Sequence, residues 1–400
     1  MALLSVAEAL ARVTDGLDPL EAECVPLADA LGRVLAEDLA ARLTQPPFDA
    51  SAMDGYAVRA ADMAALPARL TVIGEAAAGS GFGGNVGAGE AVRIFTGAPV
   101  PKGADTIVVQ EDTVAADGAI TVTEATLGRH IRPRGQDFAE GDVLLHRGTR
   151  LGPRELMLSA AMNHADVPVT RRPKVAILST GDEVVAPGSA LGPDQIVGSV
   201  SFGLRALVEV KGGEAIGLGI AKDTPESLMT LIGTGAGADI LVTIGGASVG
   251  ERDLVASALR ADGLELDFWK IAMRPGKPLL YGRLGRQRVL GVPGNPVAAL
   301  ICSIVFLVPM LHRLLGLREG SDGLVEALLG EDLAANGLRQ HYLRATSRRG
   351  PGGEREVAAF PAQDSSLMAD FARADCLIVR PPMAPALKKG DRVTIIPLPA

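Results

Sequence analysis

The residues best placed to do chemistry begin in the stretch LVTIGGASVGERD, Leu241 to Asp253. An apolar strand pattern breaks there into a glycine loop and closes on charge. Gly245 and Gly250 stand five apart, the spacing of the two glycines in a Walker A loop. Such a loop needs a lysine for the terminal phosphates and a Ser/Thr hydroxyl for Mg²⁺. Glu251 and Arg252 occupy those positions, and a carboxylate in the lysine's place repels a triphosphate. The loop does not match the dinucleotide fingerprint either. A phosphotransferase built on it is disfavoured. What remains is generic: backbone N–H groups freed by small residues face an anion at the end of a strand, and Asp253 holds a Mg²⁺ bridging that anion. Taken alone, the loop is explained better as a plain strand-to-helix turn.

Other turns carry the same pair of readings. In GVPGNPVAAL (291–300), Asn295 suits a helix cap and Pro296 the first helical position. The free N–H groups and the helix dipole then make a second anion site. Asp54 precedes a glycine in SAMDGYAV, an ordinary turn-stabilising place. Thr96 in FTGAP serves equally as a turn hydroxyl. Asp137 in RGQDF has Arg132 and Arg134 as surface partners, worth ~0–1 kcal/mol. Asp223 in GIAKDT reads as an N-cap for the next helix.

These turns need elements to position them. A chain of 400 residues is long enough for two to four domains. Hydrophobic residues make up 48% and charged residues 22%, so a sizeable core is expected and wholesale disorder is not. A net charge of −8 argues against a general nucleic-acid binder. Cys24, Cys302 and Cys376 are far apart, without a C-x-x-C. The histidines form no H-x-x-x-H pair. A bound metal is therefore expected to be a hard cation on carboxylates. The start MALLSVAEAL lacks a basic leader region and carries Glu8 early. The longest apolar run, Val297 to Leu311, falls short of the ~20 residues that span a bilayer. A cytoplasmic protein without membrane partners is the expectation.

Along the chain, Ser5 and Glu8 form a capping box ahead of Val6, Leu10, Val13 and Leu17 at helical spacing. A second helix is predicted over Leu27 to Leu39. Pro46 and Pro47 then stop any helix. Strand patterns follow to about residue 130, parted by glycine-rich turns. Pro153 marks a helix start, so the β segment reads as an insertion in a helical or mixed domain. From KVAILSTGDEV onward strands alternate with helices, the pattern of a parallel α/β sheet. Such sheets bind ligands at the C-terminal ends of their strands, where the polar turns lie. Past about residue 322 the pattern is strands and turns. The expected fold is α/β multidomain. Its parts are a helical/mixed domain of 1–44 with 131–171, an inserted β domain of 45–130, an α/β domain of 172–322 and a small C-terminal β domain of 323–400.

The turns SAMDGYAV, RIFTGAPVPKGAD, RPRGQDF, STGDEV, GGASVGERD, IAMRPGKPLLYG and GVPGNPVAAL occur in that order. Together they resemble the molybdopterin molybdenumtransferase family, the MoeA-type proteins related to the gephyrin E domain, over nearly the whole chain. The resemblance implies an elongated four-part subunit, with 172–322 as the molybdopterin-binding domain. It implies a homodimer whose active site is shared between copies. It also implies insertion of molybdenum, from molybdate, into the dithiolene of adenylylated molybdopterin, with loss of AMP and help from Mg²⁺. The implied catalytic residues are Asp54, Thr96, Asp137, Glu183 and Asp253, with Glu183 and Asp253 holding the metal. Implied substrate contacts are Gly245, Gly246, Ser248, Gly250, Asp223, Arg274, Lys277, Pro293, Asn295, Pro296 and Ser365. The helix start at Pro296, with Arg274 and Lys277, suits a small dianion such as molybdate. The adenylyltransferase of the same pathway and molybdoenzyme maturation factors are implied partners. A non-catalytic molybdopterin carrier or scaffold is the alternative on the same fold, and tungstate is an alternative substrate. Two places depart from the family pattern. Gly198 and Val200 stand where a polar pair is common, and QDSS (363–366) lacks two glycines. Arg344 and Arg373 are the basic partners expected near the latter turn.

Overall fold

The structure is a computed structural model that describes residues 3–246, 254–318, 323–350 and 352–398. Its centre is a six-stranded sheet in the order Glu214–Ala221, Lys174–Thr180, Ile240–Ile244, Gln287–Val292, Leu280–Leu284, Glu265–Trp269. The first four strands run parallel, and an antiparallel pair completes the edge. Alternation along Lys174–Thr180 sends Val175 and Ile177 to one core and Ala176 and Leu178 to the other. Helices therefore cover both faces. The parallel strands end at Thr180, Ala221, Ile244 and Val292, which brings the predicted polar turns to one edge.

The helical run Pro296–Leu315 lies in this core. It is longer than its apolar sequence run suggested: 20 residues, enough by length and composition to cross a bilayer, but 78% of the apolar stretch is buried inside the fold. The N-terminal helix Val6–Thr14 has the expected capping box. It buries Val6, Ala9 and Val13 against the α/β core, not in the discontinuous domain with which sequence order grouped it. Its apolar stripe has its partner there.

The helix predicted over Leu27 to Leu39 does not form. Leu27–Asp29 makes one 3-10 turn, Gly32 takes φ +75° and Leu31 is 60% exposed. Val34 and Leu35 are both fully buried, bridging Arg150 and Val169. An extended segment threaded between strands buries neighbours in this way, and the helical spacing of the leucines was incidental.

Chain pairing shows how the β segment is inserted. Ala22–Pro26 pairs with Asp166–Thr170, Leu39–Ala40 with Val143–Leu145, and Ala50–Ser51 with Ile131–Arg132, all antiparallel. The outgoing and returning chains thus lie side by side. Between them a six-stranded sheet has the order Thr106–Val109, Gly55–Val58, Glu90–Ile94, Ala68–Ala76, Ala119–Val122, Thr113–Ala116.

At the C-terminus Gln340–Arg349, Arg355–Ala359, Val325–Leu329, Arg392–Pro397 and Cys376–Arg380 pair in that order. The last strand pairs back to the first, closing a small barrel. One short helix, Met368–Arg373, interrupts the strands expected there.

Candidate active site

A cavity of about 780 Å³ opens at the C-terminal ends of the four parallel strands. Glu183, Asp223, Gly245, Gly246, Lys277, Pro293, Asn295 and Pro296, all predicted site residues, line it together. Ser248, Gly250 and Asp253 lie outside the described residues.

Local chemistry explains the arrangement. Gly245 and Gly246 have φ +87° and +64°, which a side chain disfavours. The Gly245 N–H donates to the Val292 carbonyl at 3.1 Å, so that amide holds the loop to the neighbouring strand and is not free for an anion. Gly246 lines the cavity beside it. Asp223 is not the cap of the following helix. Thr224 caps it, its hydroxyl accepting from the Ser227 N–H at 3.2 Å. That leaves the Asp223 carboxyl facing the cleft, while its backbone N–H donates to Asp182 Oδ1 at 3.2 Å. Burial, first, and then the charges of Asp182 and Glu183 push the Asp223 carboxyl above the usual range.

Asn295 does not cap its helix with its side chain. Its amide donates to Ser365 Oγ at 3.1 Å, and the Val297 N–H donates to the Ser365 carbonyl at 3.3 Å. The predicted Ser365 is thereby drawn to the edge of the cleft. Arg344 builds the turn that carries it. This side chain is 1% exposed and donates to Gln363 Oε1, Ala362 O and Leu367 O. Gln363 in turn donates to Phe360 O and Arg344 O. Side chains thus hold the turn in which the two glycines are replaced. Arg373 pairs with Asp370 in its own helix. Neither arginine is a free basic partner.

Arg274 is exposed in the short strand Met273–Arg274, which pairs with the barrel strand Gln340–Arg349, and it does not line the cavity. Lys270, absent from the sequence reading, does. It holds φ +92° without being glycine, a strained backbone that tends to mark functional sites. Its ammonium lies 5.6 Å from the Trp269 ring. Nothing in residue type or spacing foretells that conformation. Met368 also lines the cavity, with its sulfur 3.5 Å from Ser199 Oγ. The departing turn faces the same space: Gly198, Ser199 and Val200 all line it.

Asp54 and Thr96, in the inserted β domain, and Asp137, in the returning chain beyond it, are exposed and do not line this cavity in their own chain. Asp54 and Thr96 are joined: Asp54 Oδ1 accepts the Thr96 N–H at 2.7 Å and its hydroxyl at 2.8 Å. These two bonds, with a smaller contribution from the Arg93 charge, hold the Asp54 carboxyl below the usual range. Asp137 forms no ion pair with Arg132 or Arg134. Its N–H donates to the Gln45 carbonyl at 3.0 Å, and its carboxylate is left to solvent.

Comparison with known proteins accounts for almost the whole chain. Residues 4–163 match the MoeA N-terminal region (domain I and II), 176–313 a probable molybdopterin binding domain, and 326–398 the MoeA C-terminal region (domain IV). A molybdopterin molybdenumtransferase of Haemophilus influenzae is 35% identical, covering 99% of this chain and 98% of the relative. One from a Nostoc species is 36% identical, covering 95% and 89%. A crystal structure of a molybdopterin biosynthesis MoeA protein from Pyrococcus horikoshii superposes with a TM-score of 0.84 at 34% identity, covering 99% of both chains.

Proposed function

Since this chain belongs to the MoeA-type molybdopterin molybdenumtransferase family and is a transferase of molybdenum cofactor biosynthesis, we propose that it inserts molybdate-derived metal into the dithiolene of adenylylated molybdopterin and releases AMP. The observation that carries this reading is the convergence of Glu183, Asp223, Gly246, Lys277 and the helix start at Pro296 in one cleft. That cleft offers cations and carboxylates to a ligand bearing a pyrophosphate.

Release of AMP breaks a bond between two phosphates, and negative charge builds on the leaving oxygen. Lys277 and Lys270, both on the cleft wall, neutralise that charge. The helix start beside Asn295 has no N–H at Pro296 and gives its Val297 N–H to the Ser365 carbonyl, so it is the dipole of that helix, with Lys277 on the same wall, that attracts the small dianion molybdate. A water oxygen bonds to the adenylyl phosphorus as the bond between the two phosphates breaks, and one of its protons passes to the departing phosphate oxygen. The mutual repulsion of Asp182, Glu183 and Asp223 is what a hard cation would relieve, so Glu183 suits Mg²⁺, with Asp253, outside the described residues, as the second ligand that the family resemblance implies. Such an ion supplies Lewis-acid stabilisation of phosphate charge.

Asp54, Thr96 and Asp137 complete the site from a second copy of the chain, which makes the protein a homodimer with two shared sites. It works in the cytoplasm, receiving its substrate from the adenylyltransferase and passing product to maturation factors of molybdoenzymes. The test is to incubate purified protein with adenylylated molybdopterin, molybdate and Mg²⁺ and to measure AMP and metal-loaded cofactor. Tight molybdopterin binding without AMP release would favour a carrier instead.

A further inference from the structure

The usefulness of Asp54 depends on how firmly its turn is held. Asp54 immediately precedes the strand Gly55–Val58, and Tyr56 stands opposite Arg93 in antiparallel register. Phe95 lies two residues beyond Arg93 and so shares its face. The half-buried Arg93 guanidinium lies over both rings, 5.0 Å from each centroid. It also donates to the Gly55 carbonyl at 3.3 Å and to Gln110 Oε1 at 2.7 Å. Glu75 stands opposite Arg93 on the next strand, yet the guanidinium bonds go to Gly55 and Gln110.

Three of those partners adjoin Asp54 or a group bonded to it. Gly55 follows it in sequence. Thr96, next to Phe95, donates twice to its carboxylate. Gln110 donates its N–H to the Asp54 carbonyl at 3.2 Å. A single side chain therefore ties together three segments that meet at Asp54, one of which, through Thr96, holds its carboxylate. We propose that Arg93 is the positioning residue of Asp54, clamping its turn in the geometry the reaction uses, a role that rests on Asp54 acting in that reaction. A lysine cannot replace it, because a point charge has no planar face to lay on rings and no fork to bridge Gly55 and Gln110.

The experiment compares Arg93→Lys, Gln110→Ala, Asp54→Asn and the Asp54→Asn/Arg93→Lys double variant. Melting, kcat and KM for AMP release are measured on each. Arg93→Lys is expected to fold, keep its KM within a small factor and lose on the order of ten- to a hundredfold in kcat. Gln110→Ala, at an exposed side chain, moves kcat in the same direction by less. In the double variant the Lys substitution adds nothing to the loss from Asp54→Asn, because both act through one group. Arg93→Lys at the wild-type kcat, or a double variant slowed by the product of the two single losses, overturns the proposal. If Arg93→Lys does not fold, an unchanged kcat in Gln110→Ala overturns it. Asp54→Asn turning over at the wild-type rate would instead refute the reading of Asp54 itself. An inactive Asp54→Asn beside a fully active Arg93→Lys refutes the positioning role alone.

Discussion

Gly181 sets where the Glu183 carboxylate can sit, and Gly181→Ala should displace it. The residue holds φ +132°, in the region that favours glycine. A methyl group there would lie 2.5 Å from Glu183 Oε2 and 2.8 Å from Oε1. The carboxylate is the free end of a flexible side chain, so it moves and the backbone largely stays. It must retreat by roughly 1 Å to reach ordinary contact, and a misplacement of that size costs on the order of a hundredfold in rate. The forced backbone conformation costs about 1–3 kcal/mol, which lowers the melting temperature by about 2–4 °C per kcal/mol for a domain of this size. The assay is thermal melting beside steady-state AMP release, with Glu183→Ala as reference. Gly181→Ala should approach the reference in activity while remaining folded at assay temperature. Wild-type turnover in a folded Gly181→Ala would refute the placement of Glu183 in the chemistry.

Asp54→Ala and Glu183→Ala should stay folded at assay temperature and lose cofactor formation, with Asp54→Ala melting somewhat lower because it gives up two hydrogen bonds from Thr96; a sharp drop in melting with activity retained by the folded fraction would make the acids structural. Burial and the charges of Asp182 and Glu183 raise the Asp223 carboxyl pKa, so its ionised form destabilises the fold above that pKa and the penalty fades as pH falls through the raised value toward the unfolded one. Asp223→Asn should therefore melt higher than wild type at pH 7, with the gap closing on acidification, and equal melting at all pH values would contradict this. Mg²⁺ should raise the wild-type melting temperature more than that of Glu183→Gln, a difference that calorimetry with and without the ion reads directly. A polar group at the departing turn should tighten substrate binding, since a hydrogen bond to a charged group is worth roughly 1.5–3 kcal/mol, about ten- to a hundredfold. A side chain at Gly198 would meet Val184 Cγ1 at 2.8 Å, so Val200→Asn alone is the cleaner variant, and an unchanged dissociation constant would leave the turn without a role.

The α/β sheet and the turns at its edge were legible because alternating apolar strands and helices follow directly from burial on two faces. The capping box at Ser5 and Glu8 was legible for the same reason: its chemistry is local. The region from Leu27 to Leu39 was not, because Val34 and Leu35 answer to partners over a hundred residues away, Arg150 and Val169. In the site, residue types marked Glu183 and Asp223, but the sequence could not choose between cap and cleft for Asp223. That choice fell to Thr224, the better-placed hydroxyl. Asn295 looked like a cap and instead reaches Ser365, a contact between distant segments. Lys270 was invisible, since its place depends on a left-handed backbone. Arg93 was read only as part of a motif, because its clamp depends on strand register.

The central claim is that the cleft carboxylates of one copy and Asp54 of its partner work in one site. Mixing Asp54→Ala with Glu183→Ala protein, after subunit exchange has been verified, tests it most directly. Two-fold symmetry puts both lesions of each heterodimer into one site and leaves the other intact. The account predicts that two inactive proteins regain about a quarter of wild-type AMP release on equal, random mixing. Exchange without any return of activity would contradict it.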